Sequence, residues 1–165
     1  MEESISTLYN KLAKLLHENK DAYLIAGVGT ELRNDDRVGL IVCKMLQELG
    51  YNCIQCEFGL ETCLEDIIKS KAKTLIIIDG VVAENTPPGS IILAKIDDVS
   101  GGFLATTHNI PIRLLIKYLR NHNVALETYI VGIQIKNIDF GTNVSQEVLE
   151  GAKKLVKILS SIMKQ

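Results

Sequence analysis

A chain of 165 residues is long enough for one domain with a substantial core, and 47% hydrophobic against 23% charged residues is ordinary globular composition. A net charge of -2 gives no general pull toward nucleic acid or an anionic membrane, and no apolar run approaches the roughly 20 residues that span a bilayer. The opening MEESISTLYNKL is acidic and lacks the basic n-region of a secretory signal, so the expectation is one cytoplasmic domain over residues 1–165 with no nucleic-acid or membrane partner.

Residues 3–18 carry Ile5, Leu8, Tyr9, Leu12, Leu15 and Leu16 at helical spacing. AYLIAGVG reads as a buried strand, followed by a loop and a helix from Asp36 to Leu49 with Val38, Ile41, Val42, Met45 and Leu46 on its inner face. A second strand spans 52–57, a helix 61–70, and TLIIID forms a third strand ending at Asp79. The turn Pro87-Pro88-Gly89 introduces the strand SIILAKI. Beyond VSGG, a helix over 109–121, a strand over 127–133 and a last amphipathic helix from Ser145 complete the chain. Alternating strands and helices predict a three-layer α/β/α sandwich with a mainly parallel five-stranded sheet. Ligands of such sheets sit beyond the carboxyl ends of the strands. The loop after the first strand, with Asp35 and Asp36, and the end of the third strand, with Asp79, share that rim.

Phosphate chemistry does not suit this rim. In GVGTELRNDDRVG the third glycine of a dinucleotide fingerprint is Leu32, no G-K-[ST] is present, and two aspartates would repel an anion at the helix start. One aspartate is expected to cap free N–H groups, leaving the other available. Of the three histidines, His17 lies on the polar face of a helix, without the second histidine of a zincin motif, and His122 lies in a polar turn. His108, in ATTHNIP, stands just before a proline-started helix and after a Gly-Gly segment that lets a loop fold over the rim. Its bland reading is a capping or surface histidine. Taken together, an aspartate of the 35–36 pair, Asp79 and His108 supply oxygen and nitrogen ligands for a divalent transition metal. A pair of carboxylates doing acid–base hydrolysis stays open beside this.

Cys43, Cys53, Cys56 and Cys63 match no zinc spacing. They are expected to be reduced and to pack as small hydrophobes, with Cys53 and Cys56 on opposite faces of their strand.

The chain resembles the hydrogenase maturation proteases. The resemblance rests on GVGTELRNDDRVG, on the aspartate-ended strand with a following P-G in LIIIDGVVAENTPPGSI, on TTHNIP before an amphipathic helix, and on a weaker G-I-Q in VGIQIKNIDFG. It implies that Asp36, Asp79 and His108 are the metal-contacting and catalytic side chains, with Asp35 left to cap. The implied reaction removes a C-terminal peptide from the large-subunit precursor of a nickel–iron hydrogenase after nickel insertion. The implied nickel is carried by the substrate and serves as its recognition element, and Asp36 or Asp79 acting as a base without metal is the competing mechanism. Thr30 stands where the family has asparagine, Arg37 where it has glycine, and Glu57 where it often has aspartate. Arg37 is expected to pair with Asp35 or with the substrate's carboxylate. Two other readings are a non-cleaving nickel- or precursor-binding chaperone of the same fold and a peptidyl-tRNA hydrolase. The latter needs an early histidine and a basic face that this chain lacks.

Overall fold

The structure, a computed structural model, describes residues 4–20, 22–99 and 111–165. Its elements follow the sequence pattern closely: α1 (Ile5–Glu18), β1 (Tyr23–Gly29), α2 (Val38–Glu48), β2 (Ile54–Glu57), α3 (Leu64–Ser70), β3 (Thr74–Val81), β4 (Ile91–Lys95), α4 (Ile112–Asn121), β5 (Glu127–Gln134) and α5 (Gln146–Met163). The expected helix start at Asp36 is corrected. Asn34–Arg37 form a separate 3-10 turn, and α2 proper begins at Val38.

The five strands lie in the order β2-β1-β3-β5-β4, parallel except for β4, which runs antiparallel on β5 at one edge. The connection from β3 to β4 contains no helix, which permits the reversal. Helices α1, α2 and α5 cover one face, where Val42, Leu46, Ile76, Ile78, Leu155 and Leu159 share a core. Helices α3 and α4 cover the other, around Ile77, Ile67, Ile116 and Leu119. Every residue of β3 is buried, as a central strand covered on both faces requires. This is the predicted α/β/α arrangement. Among the described residues no helix is long and apolar enough to cross a membrane.

The first glycines of the chain stand at close backbone contacts. A Cβ at Gly27 would stand 2.6 Å from the Cβ of Cys43, and one at Gly39 would stand 2.8 Å from the backbone nitrogen of Val28 while overlapping the carbonyls of Val28 and Ile78. Gly29 is likewise pressed against the backbone of Asp36. Helix α2 therefore starts directly on the ends of β1 and β3, backbone against backbone.

The four cysteines depart from the sequence expectation of reduced thiols: Cys43 is bonded to Cys53 and Cys56 to Cys63, with Cα separations of 5.4 and 5.6 Å, and none is free. Both separations lie within the range a bridge spans without backbone movement. Local geometry decided the matter, where the expectation weighed compartment alone. The expected opposite-face placement holds, since Cys53 joins the core under α2 and Cys56 the core under α4.

Replacing Gly39 by alanine is expected to cost about 3 kcal/mol or more, at the upper end of overpacking, because only backbone is available to give way; urea denaturation measures it. Thiol titration of the unfolded, unreduced protein should find no reactive cysteine. Removing either bridge should lower stability by about 2–3 kcal/mol, from the short loops that they close.

Candidate functional site

Strand order places the carboxylates. β1 leads outward to β2 and the chain then crosses back to β3, so the order switches between β1 and β3, where parallel sheets open a crevice at their carboxyl ends. Asp36 follows β1, in the 3-10 turn that packs against β3, and Asp79 lies near the end of β3. Both are buried, at 2% and 1% exposure. Register sets Asp79 level with Val28 of β1, Cys56 of β2 and Gly132 of β5. Alternation along β3 sends Leu75, Ile77 and Val81 into the α3/α4 core, and Asp79 shares their side of the strand. His108, the third predicted residue, lies outside the described residues. Helix α4, which follows its segment, covers that same face. Arg120 of α4 donates from both terminal nitrogens to Asp97, at 2.9 and 2.8 Å, tying α4 to the short turn after β4. These hydrogen bonds hold the Asp97 carboxyl below the usual carboxylate range.

Asp35 does not cap its own helix. Fully buried, it accepts the backbone N–H groups of Lys136, Asn137 and Ser145 at 2.9, 2.8 and 2.6 Å, and the Ser145 hydroxyl at 2.9 Å. It thus gathers the segment between β5 and α5, including the residue that precedes α5. Asn34, at φ 41°, reinforces this: its side-chain oxygen accepts the Asn143 N–H at 3.0 Å, and its own N–H donates to Gly141. Arg37 donates to the Thr142 carbonyl at 2.8 Å, and not to Asp35 as expected. Three residues of one turn are therefore committed to the 137–145 segment.

Gln134 ends β5 at the same rim, where its side chain accepts the Ala83 N–H at 2.8 Å and fixes the chain leaving β3. The G-I-Q resemblance corresponds to this bond. Across β1, the Phe58 N–H donates to Gly29 at 2.8 Å, and Gly59 makes room for the carboxylate of Glu61. One Glu61 oxygen is buried without a hydrogen-bond partner among the described residues. Sequence reasoning passed over Glu61, because within a helical pattern it reads as a solvated side chain. His17 and His122 are exposed, as expected, the latter with its ring centroid 4.8 Å from that of Tyr118. Among the described residues no group of three or more His, Cys, Asp or Glu is placed to hold a metal ion. The predicted set of three cannot be assembled from them, as it includes His108.

Asp35→Ala should destabilise the protein by about 3 kcal/mol or more, since four donors lose a charged acceptor at once. Chemical denaturation measures the loss, and exchange of the 136–145 amides should rise with it.

The family model for hydrogenase maturation protease matches residues 61–162. A Methanocaldococcus jannaschii protein named for the hydrogenase maturation proteases is 30% identical over 160 residues, covering 90% of this chain and 92% of that one. Among solved structures, the nickel–iron hydrogenase maturation protease HycI from Thermococcus kodakarensis superimposes with a TM-score of 0.81 at 21% identity, over 94% of this chain and 99% of its own. HybD of the same organism, also a nickel–iron hydrogenase maturation protease, gives 0.70 at 27% identity, over 86% and 99%. Matched in sequence over most of its length and alike in fold, the chain belongs to the hydrogenase maturation protease family, a family of peptidases.

Proposed function

We propose that the protein removes the C-terminal extension from the large-subunit precursor of a nickel–iron hydrogenase once nickel is in place, with Asp36, Asp79 and His108 meeting the nickel that the substrate carries. The observation that supports this most is the pair of buried carboxylates, Asp36 and Asp79, beside the β1/β3 switch point. Carboxylate and imidazole are suitable donors for a divalent metal of this kind. Three side chains leave coordination positions for the substrate's own ligands, so a precursor lacking nickel lacks its anchor and is passed over. Coordination also fixes the scissile bond near the carboxylates, which removes much of the entropic cost of attack. Water adds to the scissile carbonyl, a carboxylate takes its proton, and the proton passes to the departing amine as the C–N bond breaks. Burial of Asp36 and Asp79 strengthens each of these electrostatic contacts.

Nickel-loaded and nickel-free precursor, incubated with the protein and weighed by mass spectrometry, test the proposal. A C-terminal loss only with nickel is the expected result. Loss in both samples would overturn nickel reading and leave carboxylate hydrolysis, whereas loss in neither would overturn cleavage in favour of a binding chaperone. Asp36→Asn, Asp79→Asn and His108→Ala should each lower processing by a factor of about 100 or more, in line with loss of a general base or anchoring ligand. Their folds should stay intact by circular dichroism, and full processing by any variant removes that residue from the site.

A further inference from the structure

The geometry points to the rim around the Asp36–Asp79 crevice as a docking surface for an extended polypeptide segment in which basic side chains neighbour large apolar ones. The assignment of that segment to the precursor's C-terminal region rests on the processing function proposed above.

Of the nine large apolar side chains exposed among the described residues, four stand on loops leaving the carboxyl ends of strands: Leu32, Phe58, Val82 and Phe140. Phe140 is 86% exposed, the highest of all. These are not loose side chains on a frayed chain. Phe58 sits at φ 71° with its N–H bonded to Gly29, while Gly141, next to Phe140, donates to Leu32 at 2.9 Å and accepts from Asn34 at 3.0 Å. Leu32 and Phe140 are therefore neighbours on two loops bonded together. Backbone ordered in this way, presenting apolar surface to water around a crevice, is the pattern of a recognition site.

Three of these side chains directly follow an acid: Glu31-Leu32, Glu57-Phe58 and Asp139-Phe140. The doublets come from sequence positions far apart, and the parallel sheet brings them to one rim. Glu31, Glu57 and Asp139, together with Glu84 beyond β3, are exposed, and among the described residues none of them is in an ion pair. The rim's cations, in contrast, are engaged within the fold. Arg33 donates to the Ile138 carbonyl, Arg37 to that of Thr142, and Lys136 to Glu147. Arg33 and Arg37 bond neutral carbonyls and keep their charge, but the four exposed acids outnumber them, so the apolar surface is set in net negative charge, complementary to a basic and apolar chain.

Two labelled peptides of equal length test this, one alternating arginine and leucine and the other glutamate and leucine. Fluorescence anisotropy is read against the wild type, the Phe58→Ala/Phe140→Ala variant and the Glu31→Gln/Glu57→Gln/Asp139→Asn variant, each checked by thermal melting. The wild type should bind the arginine peptide at least about tenfold more tightly than the glutamate peptide, and each variant should lose about tenfold, as for anchor residues and complementary charge. The charge variant should also lose most of the salt dependence. Equal binding of both peptides, or variants that bind as the wild type does, would overturn the surface. If the phenylalanine pair fails to fold, Phe140→Ser alone, at the most exposed position, decides. These readouts need no cleavage, so failure of the processing assay leaves them standing. Once processing is observed, the phenylalanine variant should raise KM for nickel-loaded precursor and keep kcat; an unchanged KM would overturn the precursor as occupant.

Discussion

The architecture depends on one contact, the seating of the first turn of helix α2 on strands β1 and β3, where at Gly39 no side chain stands between the backbones. Gly27, Gly29 and Gly39 permit it, since a Cβ at any of them would overlap neighbouring backbone. Ordinary helix–sheet packing leaves a layer of side chains between the two backbones. Omitting that layer at the start of α2 lets the turn 34–37 pack against the ends of β1 and β3, with Asp36 buried in it. The glycines that resemble a phosphate loop thus serve a carboxylate site, because they bring acidic side chains to a place where an anion would be repelled.

From that contact follows a division of labour within three consecutive residues. Asn34 and Asp35 are given over to the segment before α5, and Asp35 alone gathers four donors from it. Asp36, adjacent in sequence, remains at the crevice. A charged hydrogen-bond hub next to Asp36 limits how far that residue can shift, the preorganisation that its proposed role requires.

Much of this was legible in the sequence. Periodicity located the strands and the α-helices, apart from the start of α2, and strand-end logic placed Asp36 and Asp79 on one rim. The role of Asp35 was not legible, because its partners lie 101 to 110 residues away and local reasoning offers only a helix cap. The Asp35 alternative for Arg37 failed for the same reason, its partner Thr142 being 105 residues distant. The cysteine pairing was hidden differently. Spacing alone does not report that β2 brings Cys53 under α2 and Cys56 over the turn at Cys63. The acid–apolar doublets were visible as letters, but only the strand order turns three separate dipeptides into one surface.

The two bridges have a consequence for local motion. β2 is an edge strand of four residues, bonded to β1 alone, and such strands are ordinarily the first to peel away. Here one disulfide ties the residue just before it to the helical layer on one face, and the other ties the strand itself to the turn on the opposite face. Detaching β2 therefore means disturbing both cores together. Its opening is coupled to global unfolding. The Phe58–Glu61 side of the crevice thereby acquires the rigidity of the interior while standing at the surface.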